Sequence, residues 1–294
     1  MSETKTLTME VLVNRSQAEL FSMLTQPEDL SAWFCEHAAV DLERGHYSFW
    51  GRFTPGTPAA DSDAVRLLAC SAPDSLQFGW TVRGAETVVL FSLEARGVMT
   101  QLTVEHAGIP ARSDEHEMAF HDFWYVALEN LRLYATSGEQ QQLCSYAPKQ
   151  GPSIELAVTV NGGADAVFDK IAKPEQIDRY YGSNSTVELE VGGKFDFGWK
   201  DSLGPIKILE LDAPHKLSFS WKFDEPFETV VTWQLEESGG RTRLTLTHSG
   251  FAEDYDSEGY RAGWFSFLAI IKGMVELGED WSMIEIKGGA HGDV

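Results

Sequence analysis

Two histidines occupy the same place in two similar stretches of this sequence. His106 ends the strand-like run of Thr100-Gln101-Leu102-Thr103-Val104-Glu105-His106-Ala107-Gly108, and His248 that of Thr242-Arg243-Leu244-Thr245-Leu246-Thr247-His248-Ser249-Gly250. Apolar residues at every second position make each run a strand with one covered face, and the same period of two places the histidine on that face. An imidazole there can orient a polar ligand, or act as general acid or base, because its unperturbed pKa of about 6.5 lies close to neutrality. The competing reading is that the ring bonds backbone in the His-Ala-Gly or His-Ser-Gly turn and only fixes the route into the next element.

Other chemistry is sparse. The sequence contains no GxSxG, P-loop, dinucleotide-binding GxGxxG, paired CxxC or HExxH. His116 and His121 lie five apart in an acidic stretch, which puts about 140° between them on a helix, a poor arrangement for sharing a metal. The corresponding stretch Ala252 to Glu258 has no histidine, so a solvated acidic loop is preferred. Cys35, Cys70 and Cys144 are odd in number and widely spaced, which suits reduced thiols. No metal or other cofactor is called for.

The elements that must hold the histidines follow from periodicity. Phe195, Phe197 and Trp199, then Leu217, Phe219 and Trp221, then Val231, Trp233 and Leu235 each alternate with mostly polar residues, which predicts an antiparallel sheet with one wet face. Trp264, Phe267, Leu268, Ile271, Met274 and Val275 recur at helical spacing, as do Trp124, Leu128, Leu131 and Ala135. One long helix per stretch therefore covers each sheet. Ser16-Gln17-Ala18-Glu19 reads as a capping box, and Pro27 and Pro174 each start a short helix. The inward aromatic rows, Trp199, Phe219, Trp221, Trp233 and Trp264 beside Phe49, Phe78, Trp80, Phe91 and Trp124, suit either an apolar pocket or plain core.

These elements come twice. Val11-Leu12-Val13-Asn14 returns as Val158-Thr159-Val160-Asn161, Pro27-Glu28 as Pro174-Glu175, and Ala72-Pro73 with Leu76, Phe78 and Trp80 as Ala213-Pro214 with Leu217, Phe219 and Trp221. A period of roughly 140–147 residues is a domain duplication, far longer than a solenoid repeat. We expect an α+β fold of two tandem domains, residues 1–137 and 154–294, joined by a linker at 138–153. Each domain is predicted as a strand, two short helices, about six strands and a long C-terminal helix.

With 23 Lys and Arg against 45 Asp and Glu, the net charge of −22 disfavours nucleic acid and anionic membranes as partners. The uncharged run Ala262 to Ile271 is about half the ~20 residues that cross a bilayer. The polar N-terminus does not resemble a signal peptide, which points to the cytoplasm.

The second copy resembles the activator of heat-shock-protein-90 ATPase homologue family, within the START-like (SRPBCC) helix-grip superfamily. The resemblance is carried by Val191-Gly192-Gly193-Lys194-Phe195-Asp196-Phe197, by Leu209 to Pro214 leading into Leu217-Ser218-Phe219-Ser220-Trp221, by Leu244 to Phe251, and by Gly263-Trp264. The first copy has drifted, with Arg44-Gly45 for Gly192-Gly193 and no Gly204-Pro205 turn. The resemblance implies a curved antiparallel sheet around a long helix, with a cavity between them. Its roles range over small-ligand binding, polyketide cyclisation and co-chaperone action. The leading expectation is a cytoplasmic binding protein for an apolar or aromatic small molecule, held in the second copy by Trp199, Phe219, Trp221, Trp233, His248, Tyr260 and Trp264. The alternatives are a cyclase- or lyase-like enzyme using His248 or His106, and a protein-interaction module whose partner is a chaperone or another protein.

Overall fold

A computed structural model of the chain describes residues 4–60, 62–110, 114–199, 204–222 and 228–287, with the backbone alone over 114–119. Residues up to Ala147, together with a strand near the C-terminus, form one compact unit, and Pro148–Met283 form another.

The first unit runs β1 (Thr4–Val13), α1 (Gln17–Met23), α2 (Pro27–Trp33), β2 (His37–Asp41), β3 (His46–Trp50), β4 (Val65–Ser71), β5 (Ser75–Val82), β6 (Ala85–Arg96), β7 (Met99–Pro110) and α3 (Asp114–Ser137). The second repeats that order with β8 (Ser153–Val160), α4 (Ala164–Ala172), α5 (Pro174–Ile177), β9 (Thr186–Val187), β10 (Phe195–Asp196), β11 (Gly204–Asp212), β12 (Lys216–Lys222), β13 (Thr229–Ser238), β14 (Arg241–Ser249) and α6 (Glu258–Glu276). These are two tandem helix-grip units, each an antiparallel sheet against a long helix.

Local chemistry explains the boundaries. Ser16 Oγ accepts from the Glu19 N–H while Glu19 accepts from the Ser16 N–H, so the capping box closes α1. Both short second helices open on proline, where the missing donor has no intrahelical partner to lose. Ala72-Pro73 and Ala213-Pro214, which lead into β5 and β12, are both cis. The main sheet of the second unit is ordered β11-β12-β13-β14-β8, with β9–β10 a separate ribbon. Leu217, Phe219 and Trp221 of β12 and Leu244, Leu246 and His248 of β14 are buried, as their alternation requires.

The structure departs from the sequence reading in four places. The strand expected through Trp199 ends at Asp196, because Gly198 turns the chain at φ +75°. The outer face of β12 is not wet, since Ser218 and Ser220 are buried and the Ser218 and Thr232 hydroxyls meet at 3.0 Å. Hydroxymethyl groups on a central strand are too short to reach past their neighbours. The acidic stretch expected as a loop is helical from Asp114, where carboxylates suit the positive end of a helix. His121 lies within it, its ring 4.8 Å from that of Tyr125, whereas the side chain of His116 lies outside the described residues.

The fourth departure concerns 138–153, read as a linker. Its first part packs into unit one, where the N–H groups of Gln141 and Tyr146 donate to the carbonyls of Ala32 and Arg52. Its last part belongs to unit two, where the Pro152 carbonyl accepts from Gly250 and Phe251. A fifteenth strand, β15 (Glu285–Lys287), follows the second unit in sequence yet pairs antiparallel with β1 of the first, Met9 opposite Ile286. The sheet of the first unit is therefore ordered β15-β1-β7-β6-β5-β4.

Candidate functional site

Strand β14 delivers His248 to the underside of α6, and Trp264, in the second turn of that helix, meets it. The Trp264 indole N–H donates to His248 Nδ1 at 2.9 Å, and His248 Nε2 lies 2.7 Å from the hydroxyl of Thr229 on β13. Indole nitrogen can only donate, so Nδ1 carries the lone pair and the proton resides on Nε2. Nε2–H therefore donates to Thr229 Oγ1, which donates in turn to the carbonyl of Trp221 at 3.3 Å. The first unit builds the same relay. Trp124 of α3 donates to His106 Nδ1 at 3.1 Å, His106 Nε2 lies 2.8 Å from Thr87 Oγ1, and Thr87 donates to the Trp80 carbonyl at 2.6 Å.

Both imidazoles are fully buried, and burial lowers each pKa to about 3. At pH 7 both rings are therefore neutral, with each nitrogen already engaged by a neighbouring side chain. The partners are also not those considered from the sequence, since side chains rather than the backbone of the following turn hold each ring. Thr87 and Thr229 were missed. Their signal was present, because Glu86-Thr87-Val88-Val89 and Glu228-Thr229-Val230-Val231 repeat the same four residues ahead of the matched histidines.

Six of the seven residues expected around a ligand in the second unit cluster at this corner. Trp221 and Trp264 have ring centroids 4.7 Å apart, Trp233 and Trp264 6.0 Å, Trp199 and Trp221 5.7 Å, and His248 and Tyr260 4.9 Å. Phe219 lies one step further along β12, its ring against Phe195 at 4.7 Å. Trp221, Trp233 and Trp264 are buried, whereas Trp199 and Tyr260 are half-buried. Two glycines fix Trp199. A Cβ on Gly204 would sit 3.0 Å from the Trp199 ring, and one on Gly198 would sit 1.8 Å from the Ser183 carbonyl oxygen. The Trp199 indole is tied to the Tyr181 carbonyl at 2.7 Å.

Two clefts of about 430 and 350 Å³ open on the first unit. Residues of β4 to β6, among them Arg66, Trp80, Glu86 and Thr87, line one, and residues of β3 and β4 with Ala60, Ser62 and Asp63 line the other. Among the described residues no α3 side chain lines either cleft, although Trp80 and Thr87, which hold the first relay, line the larger one. Among the described residues, no group of three His, Cys, Asp or Glu could hold a metal ion, and no helix is long and apolar enough to cross a membrane.

The model of the family described as Activator of Hsp90 ATPase homolog 1-like protein matches residues 14–136 and again 163–276. No curated protein is similar enough to match the sequence. Among solved structures, DynU16 of the dynemicin biosynthetic locus is 19% identical over 94% of this chain and 98% of its own, with a TM-score of 0.38. The Aha1 protein from Colwellia psychrerythraea, solved as a dimer, is 18% identical over 43% of this chain and 98% of its own, at 0.38. PFC0360w, an HSP90 activator from Plasmodium falciparum, is 27% identical over 47% of this chain and 100% of its own, at 0.37.

Proposed function

We propose for this chain, which belongs to the Activator of Hsp90 ATPase homolog 1-like family through both of its units, a binding function without catalysis. The second unit takes an apolar or aromatic small molecule between its sheet and α6. The observation that carries this reading is the relay at His248, which commits both ring nitrogens to Trp264 and Thr229 and leaves a recognition surface with no mobile proton. Half-buried Trp199 and Tyr260 offer ring surface at the edge of this corner on which an apolar guest can pack. This reading sets aside the enzyme alternative at both histidines. Its setting is the cytoplasm, where Cys35, Cys70 and Cys144, none of them in a disulfide, stay reduced.

The test is a titration of the full chain with Nile red, a neutral apolar dye. Saturable binding is expected, and Trp233→Glu should abolish it with the circular dichroism spectrum retained, because an unpaired carboxylate in apolar surroundings costs several kcal/mol. Saturable binding that survives in Trp233→Glu would sink the assignment to this unit.

A second reading, a docking module for a chaperone of the Hsp90 kind, is favoured by one observation. Leu189 and Val191, between β9 and β10, are 46% and 66% exposed.

A further inference from the structure

We propose that the ligand of the second unit carries a neutral hydrogen-bond acceptor, a carbonyl or ether oxygen on an apolar frame, and that the indole N–H of Trp221 donates to it. The inference deepens the small-molecule reading above and rests on it.

The polar groups at this corner leave one donor over. Trp264 donates to His248, His248 to Thr229, and Thr229 to the Trp221 carbonyl, so every acceptor of the relay is matched. Trp221 Nε1–H is buried, the residue being 4% exposed, and has no protein partner. Leaving such a donor unpaired is costly, and native structures seldom do so without a reason. The first unit keeps the same surplus, since Trp80 Nε1 is also buried without a protein partner. The two copies have diverged around it. The Trp80 ring is enclosed by Phe49, Phe120 and Phe123, with centroids 5.3 to 5.8 Å away. Trp221 instead abuts Trp199, which reaches solvent. Trp80 lines the cleft of about 430 Å³ in the first unit, so the donor of the second is distinguished by the half-exposed Trp199 ring beside it and not by greater openness. A single neutral N–H does not repay the dehydration of a full charge, so the acceptor is neutral rather than a carboxylate or phosphate.

Acetophenone and α-methylstyrene test this, because they share one shape and differ by an oxygen in place of a methylene. Each is titrated into the ¹⁵N-labelled full chain, with the indole N–H signals as readout and Trp221→Phe used to assign the signal of Trp221. Acetophenone should bind roughly three- to tenfold more tightly, the ratio that one net hydrogen bond supplies, and shift the Trp221 indole proton downfield. In Trp221→Phe the two probes should bind alike. Equal binding of both to the wild-type chain overturns the acceptor while leaving the pocket standing. An unmoved Trp221 signal during saturable acetophenone binding also overturns the acceptor, whether or not the phenylalanine variant folds. No saturable binding of either probe overturns the acceptor and the pocket together.

Discussion

A histidine held neutral between a donor and an acceptor couples the fold to pH in one direction. The ring of His248 has a pKa of about 3 in the folded chain against an ordinary 6.5, with burial as the cause. Below about pH 6.5 the unfolded chain binds a proton that the folded ring refuses, so stability falls as the pH drops towards 3. Above that window the ring is neutral in both states and contributes no slope. The second unit should therefore lose about 2 kcal/mol through His248 between pH 7 and pH 5. Because carboxylates begin to titrate at the lower pH, urea unfolding is compared between the wild type and His248→Gln at both values. The variant starts lower at pH 7 but should lose about 2 kcal/mol less on acidification. Equal losses in the two proteins would mean that His248 takes up a proton without leaving its place.

At the scale of elements, what the sequence makes legible is what neighbours decide. Ser16 and Glu19 announce α1 because both halves of the capping box lie within one turn, and Pro27 and Pro174 announce their helices for an equally local reason. Alternation also places His106 and His248 on the covered face without knowledge of the partners. The partners themselves show in no local pattern, because Thr229 reaches His248 across a strand pairing, Val231 opposite His248, and only the repeat of Glu-Thr-Val-Val between the copies marks the threonines. The end of β10 was hidden because Gly198 is required by the Ser183 carbonyl behind it rather than by its own neighbours. This contact makes Gly198→Ala severe. Its Cβ would fall 1.8 Å from that oxygen at φ +75°, so the backbone carrying Trp199 must move. A loss of about 2 kcal/mol or more is expected, together with weaker Nile red binding. Gly239→Ala is the control, since its φ of +60° is similar but nothing lies within 4 Å of the added carbon. It should cost only about 1–2 kcal/mol and leave dye binding unchanged. Thermal unfolding of the two variants side by side separates the contact from the backbone conformation.

For the whole molecule, the duplication in the sequence is clear but the division of the chain is less simple than two consecutive halves. Residues 285–287 come after the second unit and complete the sheet of the first, with Thr8 opposite Lys287 and Glu10 opposite Glu285. Three residues with one apolar side chain give no readable strand period, so the sequence did not reveal this return. Ile284, just before the strand, is 2% exposed, and Lys287 lies 3.2 Å from Glu10. The ion pair is half-exposed and adds little, whereas the buried isoleucine and three cross-strand pairs add more. Ending the chain after Met283 should therefore destabilise the first unit by about 2–4 kcal/mol. It should leave the relay of Trp264, His248 and Thr229 intact. The measurement is ¹⁵N detection of the indole signals through a urea titration, with Trp80 and Trp124 reporting the first unit and Trp221 and Trp264 the second. The first pair should move to lower denaturant while the second holds its midpoint. If only the second pair moves, β15 is not what closes the edge of β1.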